Sequence, residues 1–112
     1  MTNLDILMSI LKPSCTPVAA FQITPQTILF VVTHEDFKKS LQILNRYNIT
    51  LRFLEERKSG LDVHVSLIIQ KFPVEVTFRI IDYTFDFVQE IVKIFPNASV
   101  FIQEIEEVDK IP

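Results

Sequence analysis

Glycine is almost missing from this chain. Gly60 is the only one in 112 residues, where average usage is about 7%. Loops that cradle phosphate need several glycines, because only glycine lets the backbone close on the ligand. P-loop and dinucleotide-binding readings are therefore excluded. Cysteine is as scarce: Cys15 stands alone, so no internal disulfide and no cysteine-based metal cluster can form. Long hydrophobic runs are lacking too, and nothing reaches the ~20 apolar residues of a membrane-spanning helix. The apolar stretch from Ile6 to Leu11 has no basic flank, and Asp5 sits where a secretion signal carries positive charge. The expectation is a cytoplasmic protein that does not enter a membrane. Positive charge is also short, with 11 Lys and Arg against 14 Asp and Glu and a net charge of −3. A nucleic-acid binder wants a basic footprint instead.

What is present is core material. Apolar residues make up 48% of the chain and ten are Phe, enough for one domain that buries roughly two-thirds of its unfolded surface. Asn3 to Leu11 reads as a short helix, with Leu4, Leu7, Met8 and Leu11 on one face and Pro13 as its stop. Val18 to Ile23 is a weak strand, and Thr24-Pro25-Gln26 a turn. Ile28 to Val32 is continuously apolar, the pattern of a central strand covered on both faces. Thr33 caps the next helix, whose inner stripe is Phe37, Leu41 and Leu44. Three strands follow, over 49–57, 63–70 and 74–80, each alternating apolar and polar residues. Lys58-Ser59-Gly60 turns between the first two, and the second and third form a hairpin. Asp82 is expected to cap a second main helix with the stripe Phe85, Val88, Ile91, Val92 and Phe95. Ala98 to Ile105 closes the pattern as a last strand.

The expected fold is α+β: a ferredoxin-like βαββαβ antiparallel sheet with two main helices on one face, plus an N-terminal helix and an extra strand. One domain spans 1–112, with its core at 27–105, an N-terminal extension at 1–26 and an acidic tail at 106–112.

Little in the chain carries chemistry. His34 and His64 are the only histidines, and no spacing supplies the three or four ligands of a zinc site. No Gly-x-Ser-x-Gly elbow surrounds a serine. The expectation is a protein that is not an enzyme and uses neither cofactor nor metal. The informative segment is Glu55-Glu56-Arg57-Lys58-Ser59. Simple alternation puts Glu55 and Arg57 on the same side as Ile49, Leu51 and Phe53, where a charge is costly in mid-sheet. At a strand end such residues emerge into a pocket or an interface, and Arg57 can present a two-pronged donor to a carboxylate.

Thr27 to Ser59 resembles the first half of the ACT domains on aromatic amino acid hydroxylases and prephenate dehydratases. In these an apolar strand, a helix and a second strand run into a Glu-Ser-Arg motif followed by Pro or Lys and Ser. Glu55, Arg57, Lys58 and Ser59 match it, with Glu56 in place of the serine. Phe85 to Ile105 is similar to the family's second helix and last strand. The resemblance implies a non-catalytic regulatory domain that dimerises, binds an amino acid effector at the subunit interface and signals to a catalytic domain or protein partner. It places Leu54, Glu55, Arg57, Ser59 and Phe37 near that ligand or interface. The rival reading rests on element order. Helix, two strands, helix, three strands, helix is the order of roadblock and longin-like scaffold modules, which the N-terminal helix and the extra hairpin fit better.

Overall fold

Thr2 opens the first helix with a capping box: its hydroxyl accepts the Asp5 amide, and the Asp5 carboxylate accepts the Thr2 amide. This helix, α1, runs Asn3–Leu11 and buries Leu7 and Leu11. The computed structural model describes residues 1–58 and 60–102. After α1 come β1 (Ala19–Thr24), β2 (Thr27–Val32), α2 (His34–Leu44), a 3-10 turn (Asn45–Tyr47), β3 (Thr50–Arg57), β4 (Gly60–Ile69), β5 (Phe72–Ile80) and α3 (Phe85–Ile94). Thr33 caps α2 as expected. Asn48 ends the 3-10 turn in the left-handed conformation at φ 54°, which asparagine tolerates better than most residues.

The five strands form one sheet in the order β1-β2-β5-β4-β3. Its long hairpins are antiparallel, but β2 and β5 run parallel at the centre. The sheet is therefore mixed and not the antiparallel one expected. The reason is connectivity: α2 and two strands intervene between β2 and β5, and such a crossover returns the chain in the same direction.

A second correction concerns the C-terminal end. Residues 98–102 are helical, where a strand was expected over Ala98 to Ile105; residues 103–105 lie outside the described residues. Ala98 and Ile102 are buried while Val100 is exposed. That spacing of four is a helical stripe, which a short Val-Phe-Ile run conceals. The βαββαβ order is not what the described residues form. A third correction is the cap of α3. Thr84 accepts the Phe87 amide, whereas Asp82 accepts the amide and ring of His34 at the start of α2.

Every described helix packs on one face of the sheet. Leu7 and Leu11 of α1, Phe37, Leu41 and Leu44 of α2, and Phe87, Val88 and Ile91 of α3 join a single core. Their sheet partners are alternate residues: Ile28, Phe30 and Val32; Leu61 through Ile69 in odd steps; and Val74, Val76, Phe78 and Ile80. Aromatic rings tie the layers, with Phe37 edge-on to both Phe78 and Phe87, and Phe30 stacked on Phe78. Among the described residues, no helix is long and apolar enough to cross a membrane.

Candidate functional site

The other face of the sheet carries the remaining alternate residues, and the register lays them in rows across all five strands. One row is Ala19, Val31, Arg79, Asp62 and Glu55; the next is Phe21, Leu29, Thr77, His64 and Phe53. No described helix covers this face. It divides by chemistry: β1 and β2 supply apolar side chains, and β3, β4 and β5 supply charges.

Glu55 and Arg57 reach this face through a β-bulge. The β3–β4 register slips between Leu51 and Phe53, so an extra residue shifts the alternation by one. Leu51 therefore points into the core at 3% exposure. Phe53, Glu55 and Arg57 stand on the opposite face, not on the side of Leu51 as simple alternation implied.

At the centre lies Asp62, only 1% exposed although no described helix covers it. Its cover is two guanidiniums. Arg79 donates from Nε to Oδ1 at 2.9 Å and from Nη2 to Oδ2 at 3.1 Å, a bidentate fork. Arg57 donates from Nε to Oδ2 at 2.6 Å and from Nη2 to Glu55 Oε1 at 3.0 Å. Burial works against an ionised Asp62, but the hydrogen bonds from Arg79 and Arg57 outweigh it and hold its carboxyl below the usual range. The same contact raises Arg79. Two carboxylates and two guanidiniums thus cancel within the cluster.

His64 adjoins it. Its Nδ1 lies 2.8 Å from the Thr77 hydroxyl, and its ring stacks on Phe53 with centroids 4.0 Å apart. Its Nε2 is buried without a hydrogen-bond partner and faces Glu55 Oε1 at 3.6 Å. Glu55, Asp62 and His64 bring three donor atoms within 4.8 Å of one another, the spacing of a cation site. A divalent ion there has to displace guanidinium donors from both Asp62 oxygens and from Glu55, which makes the set a poor metal cage.

The residues singled out in the sequence divide accordingly. Glu55 and Arg57 come together with Asp62. Leu54 is buried on the helix side, Phe37 is fully buried in the core, and Ser59 lies outside the described residues. Asp62, Arg79, Thr77 and His64 were not anticipated as a group. Their only signal is that each falls on the polar phase of its strand. A separate apolar groove of about 430 Å³ lies on the helix side, lined in part by Leu41, Ile49, Ile94 and Phe95. Lys38 at its mouth is already paired with Glu90 at 2.6 Å. No family model matches the chain, and no curated protein or solved structure matches it significantly.

Proposed function

We propose that this chain is a non-catalytic docking module that binds a partner protein on the face of its sheet that no described helix covers. The observation that carries the reading is the one-sided sheet, whose open face sets apolar side chains around a neutralised ion cluster. Phe21, Phe53 and Ile68 stand there with more than a third of their surface exposed. Aromatic and aliphatic anchors beside arginine are the composition of interface cores. Asp62 is paired in advance, so covering it strips water from no bare charge.

The element order, helix, two strands, helix, three strands, helix, favours a scaffold module of the roadblock or longin-like kind. An ACT-like amino acid sensor draws less support. Arg57, the cation expected to meet an effector carboxylate, already donates to Asp62 and Glu55. Residues 98–102 are also helical where that order has a strand.

The test is affinity capture from native extract with the wild type, Phe53→Asp and Ile94→Asp. The first substitution alters the open face and the second the helix side. A partner held by the wild type and by I94D but lost by F53D is the expected result. Loss with I94D and retention with F53D overturns the reading. A thermal shift with any of the twenty amino acids favours the sensor instead.

A further inference from the structure

The sheet has two edges, and they are built differently. At one edge, β3 carries Arg52, Glu55, Glu56 and Arg57 and is broken by the bulge at Leu51–Phe53. Charges and bulges are the devices by which natural sheets prevent edge-to-edge pairing. At the other edge, β1 (Ala19–Thr24) also has a register shift, between Gln22 and Thr24 beside its turn, but it runs regularly from Ala19 to Gln22 and has neither a charge in the strand nor one nearby. No Asp, Glu, Lys or Arg occurs anywhere from Pro13 to Thr33, so the whole β1–β2 hairpin is uncharged. It is also exposed, at 63% for Val18, 49% for Phe21 and 59% for Ile23. Helix α1 lies over β1 on the core side, where the Leu4 amide donates to the Gln22 side chain, and no described helix lies over its other side.

We infer that β1 is a self-pairing edge, on which a second copy of this chain adds its own β1 antiparallel to make a continuous ten-stranded sheet. The occupant follows from charge. A strand without charged residues meets its own copy with no like-charge apposition, and two-fold pairs are by far the commonest oligomers. The register follows from the alternation of faces. Keeping both helix layers on one side requires residues of the same phase to stand opposite each other. Phe21 then faces Phe21 of the partner subunit, at the centre of the pairing. Directly opposed aromatic and aliphatic pairs are the favourable ones in antiparallel sheets. Leu29 and Val31, which flank Phe21 and Ala19 on β2, continue the apolar strip in both copies. The charged clusters around Asp62 are left at the two far ends. This inference shares Phe21 with the docking reading but does not rest on it, because it concerns the hydrogen-bonding edge of β1, which Phe53→Asp leaves unchanged.

The test is sedimentation velocity of the full chain over a wide concentration range. The wild type is expected to sediment as a dimer. Phe21→Lys and Phe21→Glu should each weaken it at least tenfold, and mixing the two should restore a heterodimer. Arg52→Glu, on the other edge, should leave the dimer intact, as should F53D. Circular dichroism and thermal unfolding check that the variants fold. Should they fail to fold, Phe21→Cys serves instead: it should oxidise to a covalent dimer where Arg52→Cys does not, since Cys15 is buried. A wild type that stays monomeric overturns the inference. So does a dimer that F21K and F21E leave untouched, or one that R52E breaks.

Discussion

At the scale of single residues, the molecule turns on one carboxylate and one glycine. Asp62 is buried and ionised, so removing it strands two guanidiniums, and removing its partners strands a buried charge. Losing one member of a buried pair typically costs about 3–5 kcal/mol. Arg57 is 46% exposed and can turn to water, so Asp62→Asn should cost less, about 2–3 kcal/mol at neutral pH by denaturant unfolding. Arg79, which makes two bonds to Asp62 and is only 26% exposed, should cost more than Arg57 when either is changed to Ala. The pH dependence follows from the lowered folded value of Asp62. Its contribution is complete above the unfolded carboxylate value near about 4. It is lost as pH falls through the lowered folded value. Wild type should therefore lose stability faster than D62N on acidification below about pH 4, and the two unfolding curves should converge. Equal slopes would mean that Asp62 does not carry the acid sensitivity. Gly60, two residues earlier, sits where β4 meets the end of β5. A Cβ there would lie 2.6 Å from the Ile80 carbonyl oxygen, and backbone cannot swing aside as a side chain can. Gly60→Ala should cost about 1–3 kcal/mol and shift the start of β4 that positions Asp62.

At the scale of elements, what sequence patterning makes legible is local. The first helix, the two long hairpin strands and α2 follow from caps and periodicity that involve only neighbouring residues. Where a decision depends on contacts far along the chain, the pattern misleads. Asp82 looks like the cap of the helix after it, yet it binds His34, forty-eight residues away. Ala98 to Ile102 looks like a strand, but Ala98 and Ile102 bury against the core one helical turn apart. Nothing local marks the bulge at Leu51–Phe53, and it alone moves Glu55 and Arg57 to the open face. The Asp62 cluster was half legible for the same reason: β3 declared its charges together, while Asp62 and Arg79 each appeared as one polar residue in an alternating strand. The β4–β5 hairpin supports a further prediction at this scale. Its two-residue loop, Gln70-Lys71, holds both residues at positive φ, 52° and 73°. Turns of this class prefer Asn-Gly, because side chains strain there. Lys71→Gly should stabilise the protein by about 0.5–1 kcal/mol, read as a rise in Tm with the oligomeric state unchanged. A fall in Tm would show that the Lys71 side chain holds the turn in a way its φ does not reveal.

At the scale of the whole molecule, a sheet that the described helices cover on one side only raises the question of where its stability resides. The described helices and the sheet share a single core, so changes on the open face away from Asp62 should touch folding less than changes in that core. Phe53→Asp, which loses its stack on His64, should cost only about 0.5–1.5 kcal/mol, whereas Phe78→Ala, at the junction of Phe30 and Phe37, should cost about 3–5 kcal/mol. If β1 pairs with its copy, however, the folded chain gains stability by mass action, because only the folded form offers that edge. The apparent Tm of the wild type should then climb as protein concentration rises, and that of F21K should stay flat. The two curves should meet at high dilution, where both are monomers. A wild-type Tm independent of concentration, beside a dimer seen in sedimentation, would place the contact elsewhere or require that the dimer survive unfolding. Neither is compatible with a β1 edge that exists only in the folded sheet.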